Sequence, residues 1–189
     1  GAIPPSPIVS CLGRLKDVTK AVPMHFQTSD SILIMAGERR DELGGSVFYS
    51  LHDELGANVP QPNLEEVKNQ IFALTDCIDE GLVLSCHDIA DGGVASTLAE
   101  MTFGNGIGCD ITINSDLPTD KILFSETGGF VLEVSPENAD AVLSNFSKYE
   151  SNVFQIGTTG SNTIQINRVV DMVVSDAKET WTNGLREKL

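Results

Sequence analysis

Residues 82–103 constrain the fold more than any other stretch of the chain. Leu82-Val83-Leu84-Ser85-Cys86 is a short apolar run of strand character. It breaks into His87-Asp88-Ile89-Ala90-Asp91-Gly92-Gly93, and the residues from about Val94 to Phe103 are predicted to be helical. A strand end thus delivers His87 and Asp88 to a loop. Two glycines then allow close backbone approach before a helix begins, and a helix N-terminus presents free N–H groups to anions.

The flanking sequence predicts strands and helices that interleave irregularly. Strand-like apolar runs occupy residues 7–15 and 31–36, and a further extended stretch is expected within 17–27. Residues 38–42 form a charged loop that ends in Leu43-Gly44-Gly45-Ser46. After the turn Val59-Pro60-Gln61-Pro62, Asn63 suits a helix N-cap, with Glu65 and Glu66 complementing the dipole. Val67, Ile71, Leu74 and Ile78 follow at helical spacing up to Gly81. Strands are predicted over 109–113, 121–124 and 130–134, and a helix over 138–149 with Ala141, Val142, Leu143 and Phe146 inward. Residues 153–156 and 163–166 look like a strand pair around the turn 157–160. A terminal helix from about Met172 contains Trp181, read as a core residue. Residues 1–6 read as a linker from an upstream domain, and 7–189 as one domain. The pattern predicts an α+β or mixed α/β sandwich, not a doubly wound nucleotide fold.

Composition narrows the function. Lys and Arg number 12 against 27 Asp and Glu, a net charge of -15, and no basic run stands out. A phosphate backbone would be repelled, so nucleic acid is a poor partner. No apolar stretch approaches a membrane span, and the N-terminus lacks a signal-peptide pattern. Cys11, Cys77, Cys86 and Cys109 are scattered without CxxC spacing, which argues against zinc and against a disulfide framework. A reducing, cytoplasmic location is expected.

Three loops offer chemistry. Asp88 and Asp91 beside Gly92-Gly93 suit a metal–phosphate group, because Mg²⁺ in nucleotide sites is held by one or two carboxylates plus phosphates. The plainer alternative is that Asp91 caps the helix and the glycines make the turn. Gly44-Gly45-Ser46 either cradles a phosphate or is a tight turn with Ser46 as cap. Glu126, in Ser125-Glu126-Thr127-Gly128-Gly129, either points at a ligand or sits in a hairpin turn, the latter favoured by Gly-Gly between apolar runs. Neither a P-loop nor a GxGxxG occurs, and the three histidines show no zinc spacing. Cys86 ends an apolar run, where a buried, inert thiol is the commoner state.

HDIADGGVASTLAEMTFGNGIGCDI, residues 87–111, resembles the HD-x-S-DGG-L…LAEMAFAG…G pattern of the phosphoribosylformylglycinamidine synthase family. PIVSCLGRLKDVTKAV (7–22), ELGGS (42–46), LFSETGGFVLEV (123–134) and ETWTNGLREKL (179–189) are similar, in order, to further segments of its second synthetase-type C-terminal domain. The resemblance spans nearly the whole chain.

It implies a three-layer sandwich of the aminoimidazole ribonucleotide synthetase C-terminal domain type. It also implies an ATP-dependent, amidine-forming ligase that uses glutamine-derived ammonia and is built from paired A and B domains. Asp88 is implied as the ligand of a Mg²⁺ on an auxiliary ATP or ADP, held only together with an A-type domain. Ala90, Gly92, Gly93, Gly44, Gly45, Ser46 and Glu126 fall on the implied nucleotide-binding positions, but the family's serine is Ala90 here. No residue inherits a catalytic role, so the chain alone is expected to be inactive. The implied partners are upstream A-type domains of the same polypeptide and a glutaminase domain or subunit. The alternatives are the equivalent domain of a cyclo-ligase or selenophosphate synthetase, or a non-catalytic assembly module, which Ala90 favours.

Overall fold

The computed structural model of the chain describes residues 9–184. The expected linker 1–6, the start of the 7–15 run and the last residues of the 179–189 segment lie outside the described residues. Two of the central strands set the architecture. In β1 (Ile32–Ala36), Leu33 and Met35 face one way and Ile34 and Ala36 the other, and all four are buried. In β4 (Phe130–Val134), Val131 opposes Leu132 and Val134 in the same manner. Strands buried on both faces need a helical layer on each side.

Those layers are present. Leu33, Met35 and Val131 pack with α3 (Gly93–Thr102), α4 (Thr119–Phe124) and α6 (Val174–Asn183) through Val94, Leu98, Leu123 and Val174. Ile34, Ala36, Leu132 and Val134 pack with α2 (Leu64–Asp79) and α5 (Ala139–Lys148) through Ala73, Cys77, Val142 and Phe146. Between the layers runs a seven-stranded sheet. Its remaining strands are β2 (Ser85–Asp88), β3 (Cys109–Ile111), β5 (Val153–Thr159), β6 (Thr163–Ile166) and β7 (Val170–Val173), in the order β2-β4-β1-β5-β3-β6-β7. Among the described residues only β3 and β6 pair in parallel. The expected mixed α/β sandwich is the observed fold.

Several local expectations are corrected. Val9, Leu12 and Leu15 are exposed and outside any strand. Their spacing of three cannot place them on one face of a period-two strand. Residues 17–27 contain a 3₁₀ turn, Val18–Lys20, capped by Asp17, and no strand. The stretch touches the sheet where the Pro23 carbonyl accepts from the Cys86 amide at 3.0 Å. Residues 121–124 are helical in α4, with the sequence neighbours Ile122 and Leu123 both buried. A four-residue apolar run does not by itself separate strand from helix. The loop 125–129 therefore joins a helix to a strand and is not a hairpin.

β5 and β6 do not pair with each other, because β3 lies between them. Gly157 permits this: a Cβ there would stand 2.0 Å from the Asp110 carbonyl oxygen of β3. On α2 the inward residues are Gln70, Ala73, Leu74 and Cys77, whereas Val67 and Ile71 are exposed. The buried stripe is thus rotated from the predicted one toward the smaller residues that fit against α5. On α5, Ala141 is exposed and Asn145 is inward, donating to Cys77 Sγ at 3.3 Å. β7 was not expected, and Trp181 is 62% exposed, although its ring lies 5.5 Å from that of Phe103.

Candidate functional site

The loops singled out in the sequence converge on one side chain. Glu126 leaves the end of α4, and its Oε1 accepts from the Val47 amide at 2.8 Å and from the Gly92 amide at 2.9 Å. Val47 is the first residue of the short helix α1 (Val47–Ser50), whose N-cap Ser46 accepts from the Tyr49 amide at 3.2 Å. Gly92 is the N-cap of α3, adopts φ 78° and has no side-chain cap of its own. Asp91 therefore does not cap the helix. The carboxylate that does so comes from 34 residues downstream and serves the entry to α1 as well. The structure thus brings the turn 42–46 and the loop 87–93 to one place.

The turn glycines spend their amides internally. Gly44 donates to the Asn58 carbonyl at 2.7 Å, Gly45 to Leu55 at 2.7 Å, Ser46 to Leu43 at 3.1 Å and Gly93 to Ala90 at 3.0 Å. With Gly92 bound to Glu126, none of these five N–H groups is free for a phosphate. The glycines instead permit close packing. A Cβ on Gly93 would meet the Leu123 carbonyl oxygen at 2.6 Å, and one on Gly44 the Asn58 carbonyl carbon at 2.7 Å.

His87 and Asp88 end β2. The ring of His87 lies between two carboxylates, Nδ1 at 3.1 Å from Asp88 Oδ1 and Nε2 at 2.9 Å from Glu100 Oε2. A neutral imidazole donates to one of them; an imidazolium donates to both. The Asp88 backbone is fixed by Thr97, whose hydroxyl donates to its carbonyl at 3.0 Å. Its side chain is 65% exposed and faces outward. Among the described residues no group of three His, Cys, Asp or Glu could hold a metal ion. Asp88 therefore fits Mg²⁺ only as a single carboxylate that completes a shell made mainly by phosphate and water. Ala90 is exposed beside it and offers no side-chain donor.

Behind Glu126 lies a network the sequence did not announce. Within the charged loop 38–42, Arg39 is only 7% exposed. Its guanidinium donates to the carbonyls of Ser125 at 3.3 Å and Gly128 at 2.9 Å, the two residues that bracket Glu126 and Thr127. Burial pushes the Arg39 pKa down to about 10. Thr127 donates to Glu42 at 2.8 Å, Ser125 donates to the Arg40 carbonyl at 2.9 Å, and Arg40 pairs with Glu66 at 2.6 Å. The Glu126 loop is held from behind by residues 39–42. Glu100 was also missed, since no spacing rule links it to His87 across the loop and helix between them. Cys86 is half-buried, and burial pushes its thiol up to about 12, with the Asp88 charge adding to the effect.

With this fold and this arrangement established, the chain belongs to the family described as AIR synthase related protein, C-terminal domain, which matches residues 28–166. Within it, the chain is similar to phosphoribosylformylglycinamidine synthase subunit PurL of Methanothrix thermoacetophila, at 36% identity over 100% of this chain and 26% of that protein. The PurL subunit of Alkaliphilus metalliredigens is 31% identical over 98% of this chain and also 26% of its own length. The chain spans about a quarter of the length of these curated relatives. Among solved structures, Thermotoga maritima PurL complexed with FGAR matches at TM-score 0.73 and 18% identity, covering 85% of this chain and 30% of that one. That likeness concerns the fold.

Proposed function

We propose that the chain, with residues 7–189 as one domain, is the second synthetase-type C-terminal domain of an ATP-dependent ligase of purine biosynthesis. The reaction converts formylglycinamide ribonucleotide and glutamine-derived ammonia to formylglycinamidine ribonucleotide. The reading rests on relatives that are PurL subunits along the whole of this chain. The observation that carries it is the convergence of the 42–46 and 87–93 loops on Glu126, which builds one rigid edge from the segments that carry the family resemblance. In this reading an A-type domain of the same polypeptide docks on that edge, and a glutaminase domain or subunit supplies ammonia.

The role of the edge is auxiliary. Asp88 would offer one oxygen to a Mg²⁺ on ATP or ADP, and the cation would neutralise phosphate charge there. T. maritima PurL has been solved complexed with ATP and with ADP, which supports nucleotide as the ligand class. The amides of Gly44, Gly45, Ser46 and Gly93 shape the edge by donating to backbone carbonyls, and that of Gly92 holds Glu126, so none of them is left for the phosphates. Exposed Val47, Leu51, Leu55 and Leu64, on α1, the following loop and the start of α2, supply apolar surface beside it for a docked domain.

The test joins the chain to an A-type domain and measures ATP- and ammonia-dependent amidine formation, with the isolated chain as control. Activity of the joined protein and none of the isolated chain supports the reading. Turnover by the isolated chain, with contaminating ATPases excluded, overturns it.

A further inference from the structure

We propose that the cavity walled by Arg39, Met35 and Ile156 is a binding site for a small organic carboxylate with an apolar body. The cavity measures about 320 Å³ and opens where the ends of β1 and β3 meet the start of β5. None of the residues of the nucleotide reading (Asp88, Ala90, Glu126 and the turn glycines) lines it.

Arg39 is a buried cation without a direct ion-pair partner among the described residues. A guanidinium has five N–H donors, and Arg39 spends two hydrogen bonds, both on neutral carbonyls. Its buried Nε has no partner. The carboxylates of Glu42 and Glu66 offset part of the Arg39 charge without pairing with it, and a buried charge without a direct partner is costly, as is a buried N–H without an acceptor. The lowered Arg39 pKa reports the same burial from the side of the proton equilibrium. An anion seated in the cavity places a counter-charge against Arg39, and a carboxylate can accept from the N–H groups of its terminal nitrogens that the two carbonyls leave over.

The walls select among anions. Met35, Ile113 and Ile156 are buried and apolar, so the ligand carries an apolar body behind its charge. Glu38 also lines the cavity, and the chain carries a net charge of -15. Both oppose a phosphate dianion more than a carboxylate monoanion. The volume lies at the lower end of small-molecule sites, which suits a ligand of single-ring size.

Benzoate and its neutral isostere benzamide are the probes, read by the Ile113 and Ile156 δ1 methyls and the Arg39 Nε–H in NMR spectra of the protein. Benzoate is expected to shift these signals saturably, and benzamide to bind at least about tenfold more weakly, the loss of one charge-assisted pair. Arg39→Met is expected to abolish the benzoate response. Since Arg39 also holds the 125–129 loop, Gln155→Trp provides a second variant: Gln155 is exposed at the cavity wall and bonds to none of these groups, and the indole would fill the mouth. It too should abolish the response with the remaining spectrum intact. The absence of a saturable benzoate shift in the wild type, equal binding of benzamide, or unchanged binding in either folded variant overturns the proposal.

Discussion

Glu126 accepts from the Gly92 amide at 2.9 Å, so the α3 helix is capped by a carboxylate from another loop. The same oxygen stands 2.8 Å from the Val47 amide. One negative charge therefore sits where two helices present their unpaired donors, the position in which a phosphate is often found. The protein fills that position with its own side chain and uses it to tie three loops together. Glycine-rich turns beside a helix start look alike in sequence whether the anion is a ligand or a glutamate.

Removing this carboxylate should loosen both helix entries. Glu126→Ala is expected to lower stability by about 1–3 kcal/mol, the range for a lost cap and a charged hydrogen-bond acceptor. Glu126→Gln keeps an acceptor and should cost less, about 1 kcal/mol. Urea unfolding gives the totals. Amide exchange should accelerate at Gly92 and Val47 in the alanine variant while the β1 and β4 amides keep their order of protection. Unchanged exchange at both positions would show that the cap contributes nothing.

Gly93 should tolerate no side chain. Its φ is 67°, and a Cβ would press on the backbone of Leu123 and Phe124, which cannot rotate away. Gly106 has φ 71° and nothing within 4 Å of a built Cβ, so it isolates the conformational cost. Gly106→Ala is expected to cost about 1–2 kcal/mol from the left-handed backbone alone. Gly93→Ala should cost clearly more, by about 1–3 kcal/mol of added steric strain. Equal melting temperatures for the two variants would refute the close packing.

The cysteines should divide by burial. Burial pushes the thiols of Cys86 and Cys109 up to about 12 and that of Cys77 to about 11, whereas Cys11 is exposed. The thiolate is the reactive form. At pH 8 a disulfide reagent should label Cys11 rapidly in the folded protein and the other three only on denaturation. Fast labelling of Cys86 in native buffer would contradict its place behind the His87–Asp88 end of β2.

How much of this was legible in the sequence depends on the range of the forces involved. β1, β4 and α3 follow from local apolar runs, glycines and helical spacing and appear as read, whereas the strand read at 82–86 runs instead from Ser85 to Asp88, so that His87 and Asp88 end the strand and do not begin the loop. The strand misassigned at 121–124 failed because Ile122 and Leu123 are decided by packing on the sheet, not by local pattern. The rotation of α2 onto Ala73 and Cys77 depends on α5, which follows 60 residues after α2 ends. The candidate site splits in the same way. Asp88 and the glycine turns stand out by type and spacing. Arg39, a buried cation inside a charged loop, and Glu126, a distant cap, acquire their roles only through contacts made across the fold.

Asp88 is the residue on which the nucleotide reading turns. It ends β2 with its carboxylate largely in solvent and one oxygen beside His87 Nδ1. Mg²⁺ releases its waters reluctantly and needs phosphates and ligands already positioned. With one suitably placed carboxylate, the isolated chain is expected to show little or no Mg-nucleotide binding by calorimetry. In a polypeptide that joins it to an A-type domain, Asp88→Asn should reduce or abolish co-purifying nucleotide. The fold should survive, with stability of the nucleotide-free protein changed by less than about 0.5 kcal/mol, because the site is exposed and the Asn amide can hydrogen-bond His87 Nδ1 in either tautomer. Nucleotide content after denaturation and the melting temperature with and without added Mg-ADP are the measurements. If the variant retains as much nucleotide as the wild type, Asp88 is not a metal ligand, and its carboxylate serves only to orient His87. If the joined wild type carries none and gains no thermal stability from Mg-ADP, then the edge organised by Glu126 has kept the architecture of a nucleotide site without its ligand, as the loss of a side-chain donor at Ala90 would bring about.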